Sequence, residues 1–207
     1  VQSGGGLNVA IGQSSLTGVT TGDNNTGVGA YSGITVSTGG DNSYFGAFSG
    51  YHQTGDDNTA VGYAAMNGAS GQSSGSNNTA VGYSALTQNT TASSNTAVGY
   101  QAMVANTTGG DNVALGFRAL DANTTGNGNV AIGLNALTDN TTASNNTAVG
   151  HSALNENTTG TQNTAVGYQA GDAVTSGIRN TYIGNGVATA ATTGGSNVAI
   201  GHGAGAT

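Results

Sequence analysis

An apolar residue followed by Gly recurs along the chain at a fixed interval behind an Asn. The Asn residues are Asn8, Asn25, Asn42, Asn58, Asn78, Asn95, Asn112, Asn129, Asn146, Asn163, Asn180 and Asn197, spaced by 17, 17, 16 and 20 residues and by 17 thereafter. With each Asn as position 0, position 3 is Val, Ile, Leu or Phe and position 4 is Gly in all twelve copies. Position 2 is mostly Ala, and position 1 mostly Thr or Val. In six consecutive copies position 7 is Ala and position 8 is Met66, Leu86, Met103, Leu120, Leu137 or Leu154. A fixed period of this length marks a repeat architecture in which each unit stacks on its neighbours.

Seventeen residues are too few for two useful helices, and Gly and Asn at fixed sites oppose even one. The pattern predicts an all-β chain, a repetitive parallel β-solenoid of about twelve coils with two short strands and bends in each. The Gly at position 4 is expected where φ is positive or where a neighbour leaves no room for a Cβ. Asn at position 0 suits a turn, because it tolerates the left-handed region and bonds its own backbone. Coils about 4.8 Å apart would also set these amides in ladders, a reading that outweighs a ligand-binding array of Asn. Strand alternation puts positions 1 and 3 on one face and position 2 on the other. Both faces are fairly apolar, so the Ala-rich one is expected to be buried against partner chains, and an oligomer follows. Twelve coils give a rod near ~58 Å.

Composition narrows the function classes. Among 207 residues there are 38 Gly, 8 Tyr and 3 Phe but no Pro, Cys or Trp. Low charge with abundant Gly and Asn would suit disorder, but the fixed repeat argues against it. Without Cys there is no disulfide or thiolate metal site, and the compartment stays open. Nine acidic residues against Arg118 and Arg179 give a formal charge of −7, so nucleic-acid binding is not expected. No apolar run approaches the ~20 residues of a membrane-spanning helix, and no membrane insertion is expected. Residues 1–207 read as a single repeat region. Its start at Val1-Gln2-Ser3 and its end at Thr207 in mid-coil suggest a piece of a longer fibre.

Several irregularities carry expectations of their own. Position 8 becomes Gly33, Gly50, Gly171, Ala188 or Gly205 in outer copies, as though the array tapered toward flanking modules. The 20-residue copy has three extra residues within 68–77, expected to protrude as a loop. Asn-Thr-Thr recurs at Asn89, Asn106, Asn123, Asn140 and Asn157. It is read as a polar stripe on an outer turn, with Thr and Asn ladders, rather than as a recognition surface. Its match to a glycosylation sequon is taken as incidental. Ice binding is set aside because adjacent Thr side chains point to opposite sides.

Candidate chemistry is sparse. Asp41, Asp57 and Asp111 precede repeat Asn residues, where Asx turns explain them better than calcium. His52, His151 and His202 lie in different copies and cannot share one metal. Gly126-Asn-Gly-Asn-Val-Ala131 matches a dinucleotide fingerprint by letters alone, with no helix to follow. Polysaccharide-cleaving solenoids need paired carboxylates or a basic residue beside a metal. Here Glu156 is the only Glu and the two Arg are far apart in sequence, so no enzyme, no catalytic or metal residue and no cofactor is expected.

Segments such as Asn78-Thr-Ala-Val-Gly-Tyr-Ser-Ala-Leu86 and Asn163-Thr-Ala-Val-Gly-Tyr-Gln-Ala170 resemble the head repeats of trimeric autotransporter adhesins. They look closer still to related repeats of phage tail fibres and fibre-like bacterial surface proteins. The resemblance covers essentially the whole chain. It implies a left-handed parallel β-roll, a homotrimer, and an extracellular place on a virion tail fibre or a bacterial cell surface. It also implies a non-enzymatic structural or adhesive role in attachment to a cell-surface glycan or protein receptor. A bacterial adhesin head and a ligand-free spacer are the alternatives.

One column remains. Position 5 reads Tyr63, Tyr83, Tyr100, Phe117, Leu134, His151 and Tyr168 in successive copies. An exposed aromatic strip could stack on sugars, which makes Tyr63, Tyr83, Tyr100 and Tyr168 the candidate recognition residues. A packed ladder at the corner of each coil is the alternative. Leu134 favours packing, since it would interrupt a sugar platform but not an apolar seam.

Overall fold

The computed structural model describes residues 6–69 and 73–205. Twelve three-residue strands run parallel in a single sheet, in sequence order: β1 Val9–Ile11, β2 Thr26–Val28, β3 Ser43–Phe45, β4 Thr59–Val61, β5 Thr79–Val81, β6 Thr96–Val98, β7 Val113–Leu115, β8 Val130–Ile132, β9 Thr147–Val149, β10 Thr164–Val166, β11 Thr181–Ile183 and β12 Val198–Ile200. Each strand is positions 1–3 of one repeat, and like positions pair in register, as in Thr79↔Thr96, Ala80↔Ala97 and Val81↔Val98. The chain is a β-solenoid of about eleven turns.

Each coil has one strand, not the two expected. The Leu or Met at position 8 lies in a run of turns instead, with φ of 49° at Met66 and 53° at Leu86. Two successive i→i+3 turns bend the chain inward, as where Ala153 N donates to Gly150 O at 3.3 Å and Asn157 N to Leu154 O at 3.2 Å. The backbone still bonds along the axis through these turns. Ser84 N donates to Tyr63 O, Leu86 N to Ala102 O and Gln88 N to Val104 O. The axial hydrogen bonding of a sheet therefore extends well beyond its three-residue strands.

The Gly of position 4 answers both demands placed on it. Gly62 has φ +130°, and a Cβ on it would sit 2.5 Å from Gly82 O in the next coil. The repeat Asn is not itself in the left-handed region. That conformation belongs to the residue before it, Asn24, Asp41, Asp57, Asn77, Asp111 and Asn145 among others, and Asn and Asp tolerate it best. Freed from the turn, the repeat Asn points inward. Asn112 shows the arrangement: its Nδ2 donates to Asn95 Oδ1 at 3.2 Å and to Gly126 O at 2.9 Å, while its Oδ1 accepts from Asn129 N at 2.9 Å. The amide ladder thus joins coil to coil and, through position 14, closes each coil on itself.

The Asn-Thr-Thr stripe is not wholly an outer turn. Its Asn residues are buried and form a second internal ladder, with Asn123 Nδ2 donating to Asn106 Oδ1 at 2.8 Å and Asn140 Nδ2 to Asn123 Oδ1 at 3.0 Å. The first Thr is tied down as well, Thr90 Oγ1 donating to Thr107 O at 2.8 Å. The second Thr, as at Thr91 and Thr108, is exposed. Above Asn157 the next coil offers Val174 in place of Asn, and Asn157 Oδ1 is left without a donor.

Between the ladders lies the apolar core. Position 2 Ala (Ala80, Ala97, Ala114), position 7 Ala and position 8 Leu or Met are fully buried. This reverses an expectation, because the Ala-rich face lines the interior rather than meeting partner chains. Small residues are needed there because the coil is thin, and alternation then sends positions 1 and 3 outward.

Loss of the bulky position 8 residue at Gly33, Gly50 and Gly171 is a size exchange rather than a taper. Gly50 and Gly33 flank the buried ring of Tyr44, which replaces Ala at position 2, and a Cβ on either would come within 2.5–2.7 Å of that ring. Gly171 stands in the same relation to Tyr182, at 2.7 Å. Where position 2 is large, position 8 is small, so the interior stays filled. Among the outer copies, Leu16 keeps a buried Leu at position 8. The insertion expected to protrude within 68–77 includes residues 70–72, which lie outside the described residues. The coil regains register at Ser73, which bridges to Gln53 and whose Oγ donates to Asn89 O at 2.7 Å.

Candidate functional site

With the interior accounted for, the outward side of the sheet carries the remaining apolar surface. Position 3 residues such as Phe45, Val61, Leu115, Val166 and Ile183 are exposed, and position 1 Thr and Val are half-buried. Just past the Gly bend, position 5 continues this surface. Tyr63, Tyr83 and Tyr100 are 51%, 48% and 44% exposed.

In-register pairing brings three of the four candidate recognition residues together. Tyr63 and Tyr83 stack with centroids 5.5 Å apart and planes within 11°, Tyr83 and Tyr100 at 5.3 Å and 10°, and Tyr100 and Phe117 at 5.1 Å and 8°. Each ring covers a face of the next, so the column turns mainly edges and hydroxyls to solvent. That is the geometry of a packed ladder. Tyr168 stands apart, beyond Leu134, and meets His151 at 5.2 Å and 39°.

The aromatic surface also runs further than the position 5 column. Tyr31 and Phe48 stack at 5.3 Å and 14°, Phe48 meets Tyr63 edge-on at 5.7 Å, and Tyr51 lies 5.8 Å from Phe48. Sequence reasoning missed these rings. They sit at positions 6 and 9 in the copies where position 5 is Ala30 or Ala47, so following one column could not find them. The readable signal was the appearance of aromatics one place after each of those Ala residues.

Charged groups lie at other corners. Asp121 is buried and accepts a hydrogen bond from Arg118 Nε at 2.6 Å. Burial raises its pKa, with the guanidinium offsetting part of the effect and Asp139 adding to it. Asp172 is also raised by burial, and Glu156 in the preceding coil adds repulsion. Carboxylates from successive coils do converge here. Asp41, Asp57 and Asp111 occupy left-handed turn positions, φ 57–59°. His52 packs on Tyr51 at 4.5 Å, one of three His in separate coils. Among the described residues no group of three or more His, Asp or Glu is arranged to hold a metal ion, and no helix is long and apolar enough to cross a membrane.

No protein-family model, curated protein or solved structure matches the chain.

Proposed function

We propose that this chain is the repeat segment of a homotrimeric, extracellular surface fibre, a left-handed β-roll of the phage tail-fibre kind, that spans distance and contributes to attachment to a cell surface. The observation that carries this reading is the outward apolar face. Positions 1 and 3 present Thr, Val, Ile and Leu side chains along the sheet, with the position 5 rings past the Gly bend at its edge and outside the packed strip, while the chain's own interior is already filled. A continuous row of exposed apolar side chains along one sheet face is the kind of surface that marks a protein–protein contact. Three copies packed by this face would cover it, and the β-branched strip takes the place first given to the Ala face. A bacterial adhesin head is the same assembly on another carrier. The closed ring faces of the tyrosine column favour a spacer role for that column, with any receptor contact made elsewhere on the fibre.

Light scattering on purified protein tests the assembly, with three times the chain mass expected. The double variant Val81→Glu, Val98→Glu should dissociate it, since each carboxylate would be buried without a partner. A folded, soluble monomer at micromolar concentration in the unaltered protein would sink the proposal. Pull-down on host-cell surfaces then separates fibre from spacer, because a spacer trimer assembles without binding.

A further inference from the structure

We propose that Tyr63, Tyr83 and Tyr100 form an oxidative cross-linking site, at which a one-electron oxidant joins successive coils of one chain through a dityrosine bond. The column offers two phenol pairs, centroids 5.5 and 5.3 Å apart and planes within 11° and 10°, each ring about half exposed. In-register strands hold the pairs at this separation, so coupling needs only a tilt of surface side chains, which is fast. Holding both reactants side by side replaces a bimolecular encounter with a local one.

No other tyrosines are placed as well. Tyr44 and Tyr182 are buried. Tyr168 has a tilted His151 beside it rather than a tyrosine. Tyr31 and Tyr51 are 6.5 Å apart at 53°, and Phe48 contacts both rings. Tyr83 is the centre, because it alone has a tyrosine stacked on each side.

The step balances with hydrogen peroxide and a haem peroxidase as the oxidant. Each phenol loses one electron and its hydroxyl proton to become a phenoxyl radical. The two radicals form a carbon–carbon bond between ring positions ortho to oxygen. The hydrogens displaced there return to the oxygens as the rings regain aromaticity. Peroxide takes up two electrons and two protons and becomes two waters. The linked chain is lighter by two hydrogens, and its coils can no longer separate at this corner.

Dilute purified protein is treated with peroxidase and peroxide, then read by dityrosine fluorescence, denaturing gel and peptide mass mapping. The expected product is a Tyr63–Tyr83 or Tyr83–Tyr100 link in a chain that still migrates as a single chain. Tyr83→Phe keeps the ring stack but leaves Tyr63 and Tyr100 two coils apart, so most of the fluorescence should be lost, whereas Tyr168→Phe should keep it. Covalent dimers as the main product would overturn the proposal. So would an undiminished yield in Tyr83→Phe, or no dityrosine where free N-acetyltyrosine couples in the same mixture. Both partners lie in one chain, so the test stands whatever the number of chains in the assembly.

Discussion

Replacing Asn112 with Ala removes one rung of the internal amide ladder and none of the apolar core. Four hydrogen bonds vanish with the side chain: Nδ2 to Asn95 Oδ1, Nδ2 to Gly126 O, and Oδ1 from both Asn129 N and Asn129 Nδ2. Gly126 O keeps a donor in Asn123 Nδ2, and Asn129 Nδ2 keeps Ala143 O. Asn129 N–H alone is left buried without an acceptor. At about 1 kcal/mol for each of the four bonds, plus about 1–3 kcal/mol for the orphaned donor, the loss is about 5–7 kcal/mol. Because each coil contacts only its neighbours, the damage should centre on the coils at Asn95, Asn112 and Asn129. Hydrogen exchange read residue by residue is therefore the assay, with protection of Asn129 N–H and its strand expected to collapse first. Asn112→Asp adds a pH signature. A buried carboxylate has its folded pKa raised above the unfolded ~3.9, so its stability deficit is small below that value and grows as pH rises toward the folded pKa. A loss under about 1 kcal/mol for Asn112→Ala would refute the view that the ladder is a principal support of the coil.

Two further outcomes follow from buried hydroxyls and strained turns. Burial pushes the Tyr44 phenol well above its ordinary value and raises that of Tyr182, and both hydroxyls are orphaned; the Asn58 amide eases the shift at Tyr44 without bonding geometry. Raised folded pKa values mean that stability is lost as pH climbs past about 10, by up to about 1.4 kcal/mol per pH unit per tyrosine. Denaturation midpoints of the Tyr44→Phe, Tyr182→Phe variant should show most of this slope abolished and a gain of about 1–3 kcal/mol per site at neutral pH. Ser94 holds φ 60° at an exposed turn, and Ser94→Gly should gain about 1 kcal/mol by thermal melting.

The repeat made much of this fold legible, because a period is visible without knowing what any position does. Gly at position 4 could be read from chemistry alone, since only a missing Cβ explains such regularity. What could not be read was which face turned inward. Thr-Ala-Val alternation fits either choice, and volume decides it. Two-amide ladders and the position 8 side chains already fill the coil, leaving room opposite them for Ala and not Val. The Asn at positions 0 and 11 were likewise ambiguous, since a turn former and an internal rung are the same residue. The site was legible as a column of rings, but not the direction of their faces, which depends on side-chain torsions that a period does not encode.

The Gly residues at position 8 show how a local reading misleads when its partner lies elsewhere in the coil. Each looked like a weakened repeat, yet Gly33, Gly50 and Gly171 make room for rings at position 2. If this size exchange is a rule of the coil, it should transplant. Ala114→Tyr alone forces a ring against Met103 and Leu120 and should cost at least about 1–3 kcal/mol as overpacking. Met103→Gly with Leu120→Gly alone empties the core and should cost about 2–5 kcal/mol per site. Relief of the left-handed φ at those residues, 51° and 55°, returns about 1 kcal/mol each. Combined, the three changes recreate the arrangement around Tyr44, and the triple variant should recover well over half of the summed loss. Denaturation of the three variants closes a coupling cycle. Additive losses would mean that Tyr44 and Tyr182 are tolerated for reasons peculiar to their own coils, and the volume argument for the interior would fall with them.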